Sequence, residues 1–470
     1  MRNNLKDKIA FFLNKINLKI FWWFALFVIL QFFNFSYYLN SDEGVVLAGA
    51  WNLFNGQKIY TDFFAFIPPG SFYFIFVIWK IFFPSYLLTK FFSLCFIYLA
   101  AIGVYKITKL LSDKKFSLIA PTLFILTSFY WQAINHNTYN ISLIIWCTYF
   151  FLRAVELKSN YFFIASGFIL GISFLFLQQK SVLVFLLFCL WLIWLLLKNK
   201  KGIYSVFLLS FSVSFFLSSS LLFLFAPINT LYDRLVFFPL HNYIETNHLS
   251  LNLFFIFFSL IVVTYIILIF FEKKKNILIL LFFLQLVLLF SALQRPDQLH
   301  ISIILFPLIS VLPLLISRGT ESSKWKRFLF FSFFSIILLM LIVPSIMLIF
   351  FYPPFRFFNQ SNVAKYIYKN CLTSKFIYAG PFIPGLYFDT KKIQPTAFSF
   401  LITNQNTDEQ FLSAAEYLKK NRPLCAIMNY EMVKKFKYNT DNPVDQFIFS
   451  NYDLFYKQDE LLIYKIKNTK

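Results

Sequence analysis

The sequence predicts a polytopic α-helical membrane protein of about eleven transmembrane helices, followed by a small C-terminal α/β domain. Three observations predict this fold class. Only 14% of the 470 residues are charged and 59% are hydrophobic, whereas a typical soluble domain has about 25% charged residues. Apolar runs of the roughly 20 residues needed to cross a bilayer recur between Ile20 and Phe351. Lysine and arginine cluster in alternate loops between these runs.

The apolar runs set the order of the membrane elements. The predicted spans are 20–39, 85–110, 116–134, 139–157, 161–179, 181–197, 203–225, 251–271, 276–293, 300–317 and 328–351. The stretch 68–83 is apolar but short, begins Pro-Pro-Gly and contains Lys80. We therefore predict an interfacial or re-entrant helix there, and a second membrane-parallel helix over 45–54 that stops at Gly56.

The basic clusters indicate the orientation, because lysine and arginine are enriched in cytoplasmic loops. They place the N-terminus in the cytoplasm and the C-terminal domain on the extracytoplasmic side of the plasma (inner) membrane. The formal net charge of +22 is then mainly charge on the cytoplasmic face, so no nucleic-acid partner is expected. The first span has no small-residue cleavage pattern, so we expect it to be retained.

Composition changes after residue 351, which divides the chain into a membrane domain, 1–351, with a first outer loop at 40–84, and a soluble domain, 352–470. Residues 376–379, 426–429 and 461–466 are predicted strands, and 408–421 is a predicted amphipathic helix. Strands alternating with a helix indicate an α/β domain. Cys371 and Cys425 fall in this domain and would be able to pair in an oxidising compartment.

Ionisable residues are costly inside a bilayer, so their positions are informative. In the membrane part, acids and histidines gather at the outer ends of the predicted spans. Asp42 and Glu43 follow the first span, where they fit either catalysis or the positive end of a helix dipole. His136, in Asn-His-Asn-Thr-Tyr-Asn at the end of the third span, fits either substrate binding or interfacial turn chemistry.

Two further clusters carry positive charge. Lys180 lies in the tight outer turn after the fifth span, where it fits either binding of an anionic head group or snorkelling to the interface. Arg295, Asp297 and His300 lie within six residues between the ninth and tenth spans. An arginine oriented by a carboxylate binds phosphate in this way, although Arg295 and Asp297 would also be able to pair with each other.

The first outer loop contains three motifs in succession: Asp42-Glu43-Gly44, then Gly56-x-x-x-Tyr60-x-Asp62-Phe63, then Pro68-Pro69-Gly70-x-x-Tyr73. This pattern resembles the opening of the GT-C glycosyltransferases, in particular the dolichyl-phosphate-mannose protein mannosyltransferases and the lipid A aminoarabinose transferases. Lys180 and the Arg295-x-Asp297-x-x-His300 motif are also similar to family features. The resemblance covers roughly the first 320 residues.

The resemblance implies sugar transfer from a polyprenyl-phosphate donor to a glycolipid, cell-envelope glycan or protein acceptor on the extracytoplasmic face. It implies Asp42 as general base, with its pKa raised by partial desolvation, and Glu43 beside it in the catalytic site. Tyr60, Asp62, His136, Lys180, Arg295, Asp297 and His300 are then the substrate-binding candidates. Direct displacement would invert the anomeric centre. One departure stands out, because many relatives have an acid where this chain has His136 and Asn137.

Two other functions remain open. A polysaccharide polymerase or ligase would share lipid-linked substrates, but its main outer loop usually comes late in the membrane region. A transporter or flippase of lipid-linked sugars would require polar residues at span centres, broken helices and a repeat. The sequence requires no cofactor, and it is compatible with a divalent cation although no metal-binding spacing is evident.

Overall fold

The computed structural model describes residues 25, 41–112, 116–129, 131–242, 251–293, 297–321, 323–351, 366–367, 369–371, 374–458 and 461–467. Apart from residue 25, the predicted first span at 20–39 lies outside this part of the chain. The described residues up to 351 are mainly helical, and the sheet is formed by residues after 377. This distribution agrees with the predicted fold class.

Helices follow one another through the membrane part. In chain order they are α1 (Asp42–Phe54), α2 (Gly70–Ile81), α3 (Tyr86–Leu111), α4 (Ile119–Ser128), α5 (His136–Leu157), α6 (Asn160–Phe174), α7 (Gln178–Asn199), α8 (Ile203–Ser219), α9 (Ile228–Tyr232), α10 (Phe238–His241), α11 (Leu251–Phe271), α12 (Lys275–Ser291), α13 (Gln298–Ile303), α14 (Phe306–Glu321) and α15 (Lys324–Phe351). A 3₁₀ turn, Ser220–Leu224, extends α8, and a π-helical turn, Asp233–Phe237, joins α9 to α10.

Among the described residues, six helices are long and apolar enough to cross a membrane: α3, α5, α7, α8 with its 3₁₀ extension, α11 and α15. Four other predicted spans are occupied by shorter apolar helices, namely α4, α6, α12 and α14. α2 has 12 residues, too few for a full crossing, as the sequence predicts. The chain is therefore a multi-pass membrane protein whose spans differ in length.

Small residues set the closest helix contact. A Cβ atom on Gly167 would lie 2.2 Å from the carbonyl oxygen of Phe211, and one on Gly171 would lie 2.5 Å from that of Phe215. Helices α6 and α8 therefore cross with their backbones in contact, as small residues four apart allow in membrane helices.

A buried amide fixes the ends of α5, α6 and α7 near one another. The Nδ2 atom of Asn140 donates to the carbonyl oxygens of Ser173 and Leu177, at 2.9 and 3.1 Å, and to the Ser181 hydroxyl at 2.9 Å. Because these acceptors belong to the end of α6 and the start of α7, Asn140 links the two helix ends. Buried hydrogen bonds of this kind hold a site in one geometry.

The C-terminal α/β domain contains a four-stranded mixed sheet. Its elements are β1 (Tyr378–Pro381), α16 (Gly385–Asp389), α17 (Asp408–Asn421), β2 (Cys425–Asn429), α18 (Pro443–Asn451), β3 (Tyr452–Gln458) and β4 (Leu461–Ile466), with a 3₁₀ turn at Glu431–Phe436. The strand order is β1-β2-β4-β3, with β1 parallel to β2 and the other pairs antiparallel. Helix α17 has the predicted bounds and begins in a capping box of Thr407 and Gln410.

A disulfide within this domain and several non-covalent contacts with the first loop hold the domain in place. Cys371 and Cys425 form a disulfide, which joins the segment before the sheet to β2. The backbone N–H of Phe64 donates to the carbonyl oxygen of Ala397 at 2.8 Å, and Trp51 Nε1 donates to that of Lys392 at 2.9 Å. The first loop and the C-terminal domain also share one hydrophobic core, which includes Trp51 and Ile427. The two regions therefore pack as one body.

Candidate functional site

A cavity of about 580 Å³ lies where the ends of the membrane helices meet the first loop and the C-terminal domain. Part of its polar lining, here called the polar wall, comprises Asp42, Gln132, His136, Asn137, Lys180 and His300. Part of its apolar lining, here called the aromatic wall, comprises Phe64, Phe66, Phe382 and Phe400. The volume falls within the range of about 300–1,000 Å³ that is usual for small-ligand sites.

Asp42 is the first residue of α1 and lines the cavity. Ser41 before it is extended and Glu43 follows it, so two acids occupy the first turn, where the helix dipole favours negative charge. The Asp42 carboxylate accepts a hydrogen bond from Asn135 Nδ2 at 3.4 Å. The helix dipole therefore accounts for an acid at this position, and the cavity gives that acid access to a ligand.

Glu43 differs from Asp42 although the two are adjacent. Its side chain is fully buried, and it is not among the described residues that line the cavity. The carboxylate accepts hydrogen bonds from the Ile134 backbone N–H at 3.1 Å and from the Tyr86 hydroxyl at 3.2 Å. It also attracts the buried Lys90 electrostatically. Glu43 thus ties α1 to α3 and to the segment before α5, which is a structural role.

His136 and Asn137 open α5. The Asn135 side chain caps the helix by accepting a hydrogen bond from the Asn137 N–H at 2.8 Å. The Asn137 amide lies 3.0 Å from His136 Nε2. Both side chains line the cavity, because the cap directs the first turn of α5 toward it.

Lys180, in the first turn of α7, is 3% exposed and lines the cavity. Its Nζ atom donates to Asn137 Oδ1 at 2.5 Å and is attracted electrostatically by Asp297. A buried ammonium requires such partners, because isolated burial of a charge is costly. The arrangement holds the Lys180 Nζ atom at one position in the polar wall.

Asp297 and His300 form a close pair. Asp297 caps the short helix α13, since its Oδ1 accepts the His300 backbone N–H at 2.9 Å. The same oxygen lies 2.7 Å from His300 Nδ1. His300 lines the cavity beside Leu299. The carboxylate therefore fixes the orientation of the imidazole ring at the polar wall.

Tyr60 and Asp62 lie elsewhere in the first loop. The Tyr60 hydroxyl donates to the carbonyl oxygen of Ile67 at 2.9 Å, and burial raises the pKa of Tyr60 well above its ordinary value. Asp62 accepts a hydrogen bond from the Lys58 backbone N–H at 2.8 Å. Neither is among the described residues that line the cavity. Their contacts shape the loop that carries Phe63 and Phe64.

Arg295 lies outside the residues that the structure describes. For metal binding, the described residues contain no group of three or more histidine, cysteine, aspartate or glutamate side chains placed to hold an ion.

The C-terminal domain contributes cavity residues that sequence reasoning missed, namely Phe382, Ser399, Phe400, Ile402, Gln405, Lys435 and Phe436. They come from the segment after β1, the stretch before α17 and the 3₁₀ turn after β2. No local motif marks them, because they reach the cavity only through the packing of the C-terminal domain on the first loop. Gln132 was also missed, and Asn137 was recognised only as part of the cluster around His136.

One protein family and several solved structures are similar to this chain. Residues 67–219 match the family model described as dolichyl-phosphate-mannose-protein mannosyltransferase. No curated protein sequence matches the chain.

Similar solved structures cover almost the whole chain. ArnT from Cupriavidus metallidurans in the apo state has a TM-score of 0.56 and 13% identity, covering 94% of this chain and 97% of its own. The structure of ArnT from the same organism bound to undecaprenyl phosphate has a TM-score of 0.55 and 10% identity, and the match covers 95% of this chain and 98% of ArnT. A third similar structure is oligosaccharyltransferase AglB from Archaeoglobus fulgidus in complex with an inhibitory peptide and a dolichol-phosphate. It has a TM-score of 0.54 and 10% identity, and the match covers 95% of this chain and 74% of AglB. The family model covers residues 67–219 only, and the solved structures show that the chain shares the fold of these membrane proteins.

Proposed function

We propose that the chain is a membrane glycosyltransferase that moves a sugar from a polyprenyl-phosphate donor to an acceptor at the extracytoplasmic face. One observation carries the proposal. Asp42 and Lys180, an acid and a fixed cation from helices far apart in sequence, line one cavity at the ends of the membrane helices. The printed ligands of the similar structures, undecaprenyl phosphate and dolichol-phosphate, support a lipid-phosphate donor.

Lys180 is the proposed phosphate-binding group. The donor's lipid tail lies in the bilayer, so its phosphate must lie near the ends of the membrane helices. As the glycosidic bond breaks, negative charge increases on the departing phosphate. A cation held in place by Asn137 at 2.5 Å stabilises that charge more in the transition state than in the ground state. We expect Arg295 to contribute from the neighbouring motif.

Asp42 is the proposed general base. The acceptor oxygen must lose a proton as it attacks the anomeric carbon, and an acid at the cavity surface is suited to receive it. The Asn135 amide, 3.4 Å from the carboxylate, orients Asp42 without neutralising it. Attack opposite the leaving phosphate would invert the anomeric centre. Glu43 takes part through its bonds to Ile134 and Tyr86, which fix the start of α1.

Several finer features are part of the proposal. The sugar would be a hexose or a pentose, and the acceptor a glycolipid, a cell-envelope glycan or a protein. The N-terminus would lie in the cytoplasm. The Cys371–Cys425 disulfide supports an extracytoplasmic C-terminal domain, because disulfides persist in oxidising compartments. A divalent cation is compatible with the reaction but no step requires it.

The test uses membranes containing the full chain, incubated with labelled polyprenyl-phosphate sugars in turn. We expect one label to move to an endogenous acceptor, and Asp42→Asn to abolish that transfer while the protein still inserts. Glu409→Gln, which removes an exposed acid on α17, is the matched control and should retain activity. Near-normal transfer by Asp42→Asn would refute the role of Asp42.

The same experiment separates the alternatives. A polymerase or ligase would transfer a preassembled glycan but no single sugar from a monophosphate donor. A flippase would change the side of the membrane on which the labelled donor is found, with no new covalent product.

A further inference from the structure

We propose that His300, oriented by Asp297, donates a proton to the leaving lipid phosphate as the glycosidic bond breaks. This inference rests on the proposed glycosyl transfer, and it gives the ring a chemical role in addition to substrate binding. It would make His300 a catalytic residue and Asp297 its positioning residue.

The contact between Asp297 and His300 engages one ring nitrogen of the histidine and leaves the other nitrogen available. Asp297 Oδ1 lies 2.7 Å from His300 Nδ1, and the side chains of the two residues are 16% and 15% exposed. A carboxylate at this distance holds the Nδ1 proton and fixes the ring in one orientation. Nε2 then remains as the second proton site. It makes no hydrogen bond to any residue that the structure describes, and the ring lines the cavity.

The position of the pair points to the leaving group. Lys180, the proposed phosphate-binding cation, is attracted by the same Asp297 that holds His300. Lys180 and His300, both on the polar wall, therefore interact with the same carboxylate, and a phosphate bound by Lys180 would lie near the ring. Among the described residues, the other titratable side chains that line the cavity are Asp42, His136 and Lys435.

The proton transfers balance. The bond between the anomeric carbon and the phosphate oxygen breaks, and a bond from the acceptor oxygen to that carbon forms. Asp42 receives the acceptor's proton, and His300 Nε2 gives its proton to a phosphate oxygen. The products are the glycosylated acceptor and a lipid monohydrogen phosphate, leaving Asp42 protonated and His300 neutral. Exchange with water restores both groups. A phosphate monoester with a second pKa of about 6 is basic enough to accept this proton.

A simpler function of the pair is helix capping. The cap uses the Asp297 carboxylate and the backbone N–H of His300, at 2.9 Å, and it does not need the imidazole ring. His300→Gln therefore keeps the cap while it removes the proton donor. This difference makes the two functions separable by experiment.

The experiment measures transfer by the full chain in membranes, with two synthetic donors. Both carry the same sugar on phosphorus, but the lipid-side oxygen is replaced by CH₂ in one and by CF₂ in the other. The CF₂ group makes the leaving phosphonate less basic, so its departure needs less proton donation. The ratio of the two rates does not depend on how much of a variant folds.

For wild type we expect the two donors to react at similar rates. His300→Gln should lower kcat with the CH₂ donor about 100-fold, the usual size of an acid–base contribution, and with the CF₂ donor much less. The CF₂-to-CH₂ rate ratio should therefore rise at least about tenfold. His241→Gln, which changes an exposed histidine on α10, is the matched control and should leave the ratio at the wild-type value.

Equal losses with both donors, or a higher KM with kcat unchanged, would overturn proton donation by His300 and leave the glycosyl transfer itself intact. Absence of transfer by the wild-type chain from these donors and from natural polyprenyl-phosphate sugars would overturn the proposed function, and this inference with it.

Discussion

The polar wall and the aromatic wall of the cavity are assembled in different ways. The polar wall consists of helix ends: Asp42 opens α1, His136 opens α5, Lys180 lies in the first turn of α7 and His300 lies in the first turn of α13. The aromatic wall pairs Phe66 of the first loop with Phe400 of the C-terminal domain, whose ring centroids lie 6.3 Å apart. Phe382 extends it, 5.2 Å from Phe400.

This difference separates two tasks. Helix ends carry hydrogen-bonded polar groups at fixed positions, which suits stabilisation of charge as it develops. Half-buried phenylalanine rings offer apolar surface that a ligand covers equally well before and during the reaction. We therefore expect changes in the polar wall to lower kcat and changes in the aromatic wall to raise KM.

The largest expected effect is loss of the cation in the polar wall. Lys180→Met should reduce kcat about 10²–10³-fold, the usual cost of removing one preorganised group that stabilises transition-state charge, with Lys180→Arg intermediate. Initial rates at saturating donor measure it. Lys198→Met removes a lysine from the other end of α7, where it lies 4.6 Å from the Trp194 ring centroid, and should remain active. A loss below about threefold in Lys180→Met would contradict the assignment.

The second prediction concerns the disulfide, which stabilises the domain that supplies Phe382 and Phe400 to the aromatic wall. Replacing Cys371 and Cys425 by alanine should lower the free energy of unfolding by about 2–4 kcal/mol, because the bond closes a loop of 54 residues. Thermal unfolding of the purified chain, with and without reductant, measures the change. Cys95→Ala removes a free cysteine and serves as control. Equal sensitivity of the double variant and wild type to reductant would contradict the prediction.

Truncation of the aromatic wall should act on binding. Phe400→Ala is expected to raise the acceptor KM about tenfold with kcat nearly unchanged, since burial of one aromatic ring contributes about 1.5–3 kcal/mol, of which a ligand covers only part. Steady-state kinetics with varied acceptor measure it. Phe449→Ala changes a ring that is 40% exposed on α18 and is the control. A fall in kcat at constant KM would erase the distinction between the two walls.

The smallest effect concerns Asp445, which is fully buried and accepts hydrogen bonds from the Tyr430 and Tyr438 hydroxyls at 2.7 and 2.6 Å. Burial raises the pKa of Asp445 above its ordinary value of 3.8, although these hydrogen bonds oppose the shift. Between the unfolded and folded pKa values the folded state binds more protons, so the stability from this group falls as pH rises through that window.

Asp445→Asn should therefore flatten the fall in thermal stability between about pH 4 and the raised pKa. Asp453→Asn, an exposed acid on β3, should keep the wild-type slope. An unchanged slope in Asp445→Asn would show that this carboxyl does not titrate differently in the folded state.

Local patterns account for most of the fold that could be predicted. Helix α17 has its predicted bounds because Thr407 and Gln410 cap it and its apolar residues recur at helical spacing. Strand β4 also has its predicted bounds. Strand β3 and helix α18 were missed, since a strand at a sheet edge with a register shift between Leu454 and Tyr456 depends on its partner. The start of α5 was predicted three residues late, because the cap at Asn135 went unrecognised.

The site shows the same limit. Asp42, His136, Lys180 and His300 could be predicted to lie at one side of the membrane because span ends alternate between its two faces. Phe382, Phe400 and Gln405 could not, because they reach the cavity through contacts between residues more than 300 positions apart. Nor could the sequence separate Asp42 from Glu43, since only packing shows that Glu43 turns toward Ile134 and Tyr86.

The hydrogen bond from Trp51 to the carbonyl oxygen of Lys392 spans 341 positions of the chain, and it has a consequence for biosynthesis. A ribosome makes α1 long before it makes α16, and domains usually form in the order of synthesis. Trp51 packs on Trp79 of α2 and on Phe388 of α16, so its packing is completed only after every intervening membrane helix has been made. The lining of the cavity is complete only when the C-terminal domain, which supplies Phe382 and Phe400, has emerged and folded.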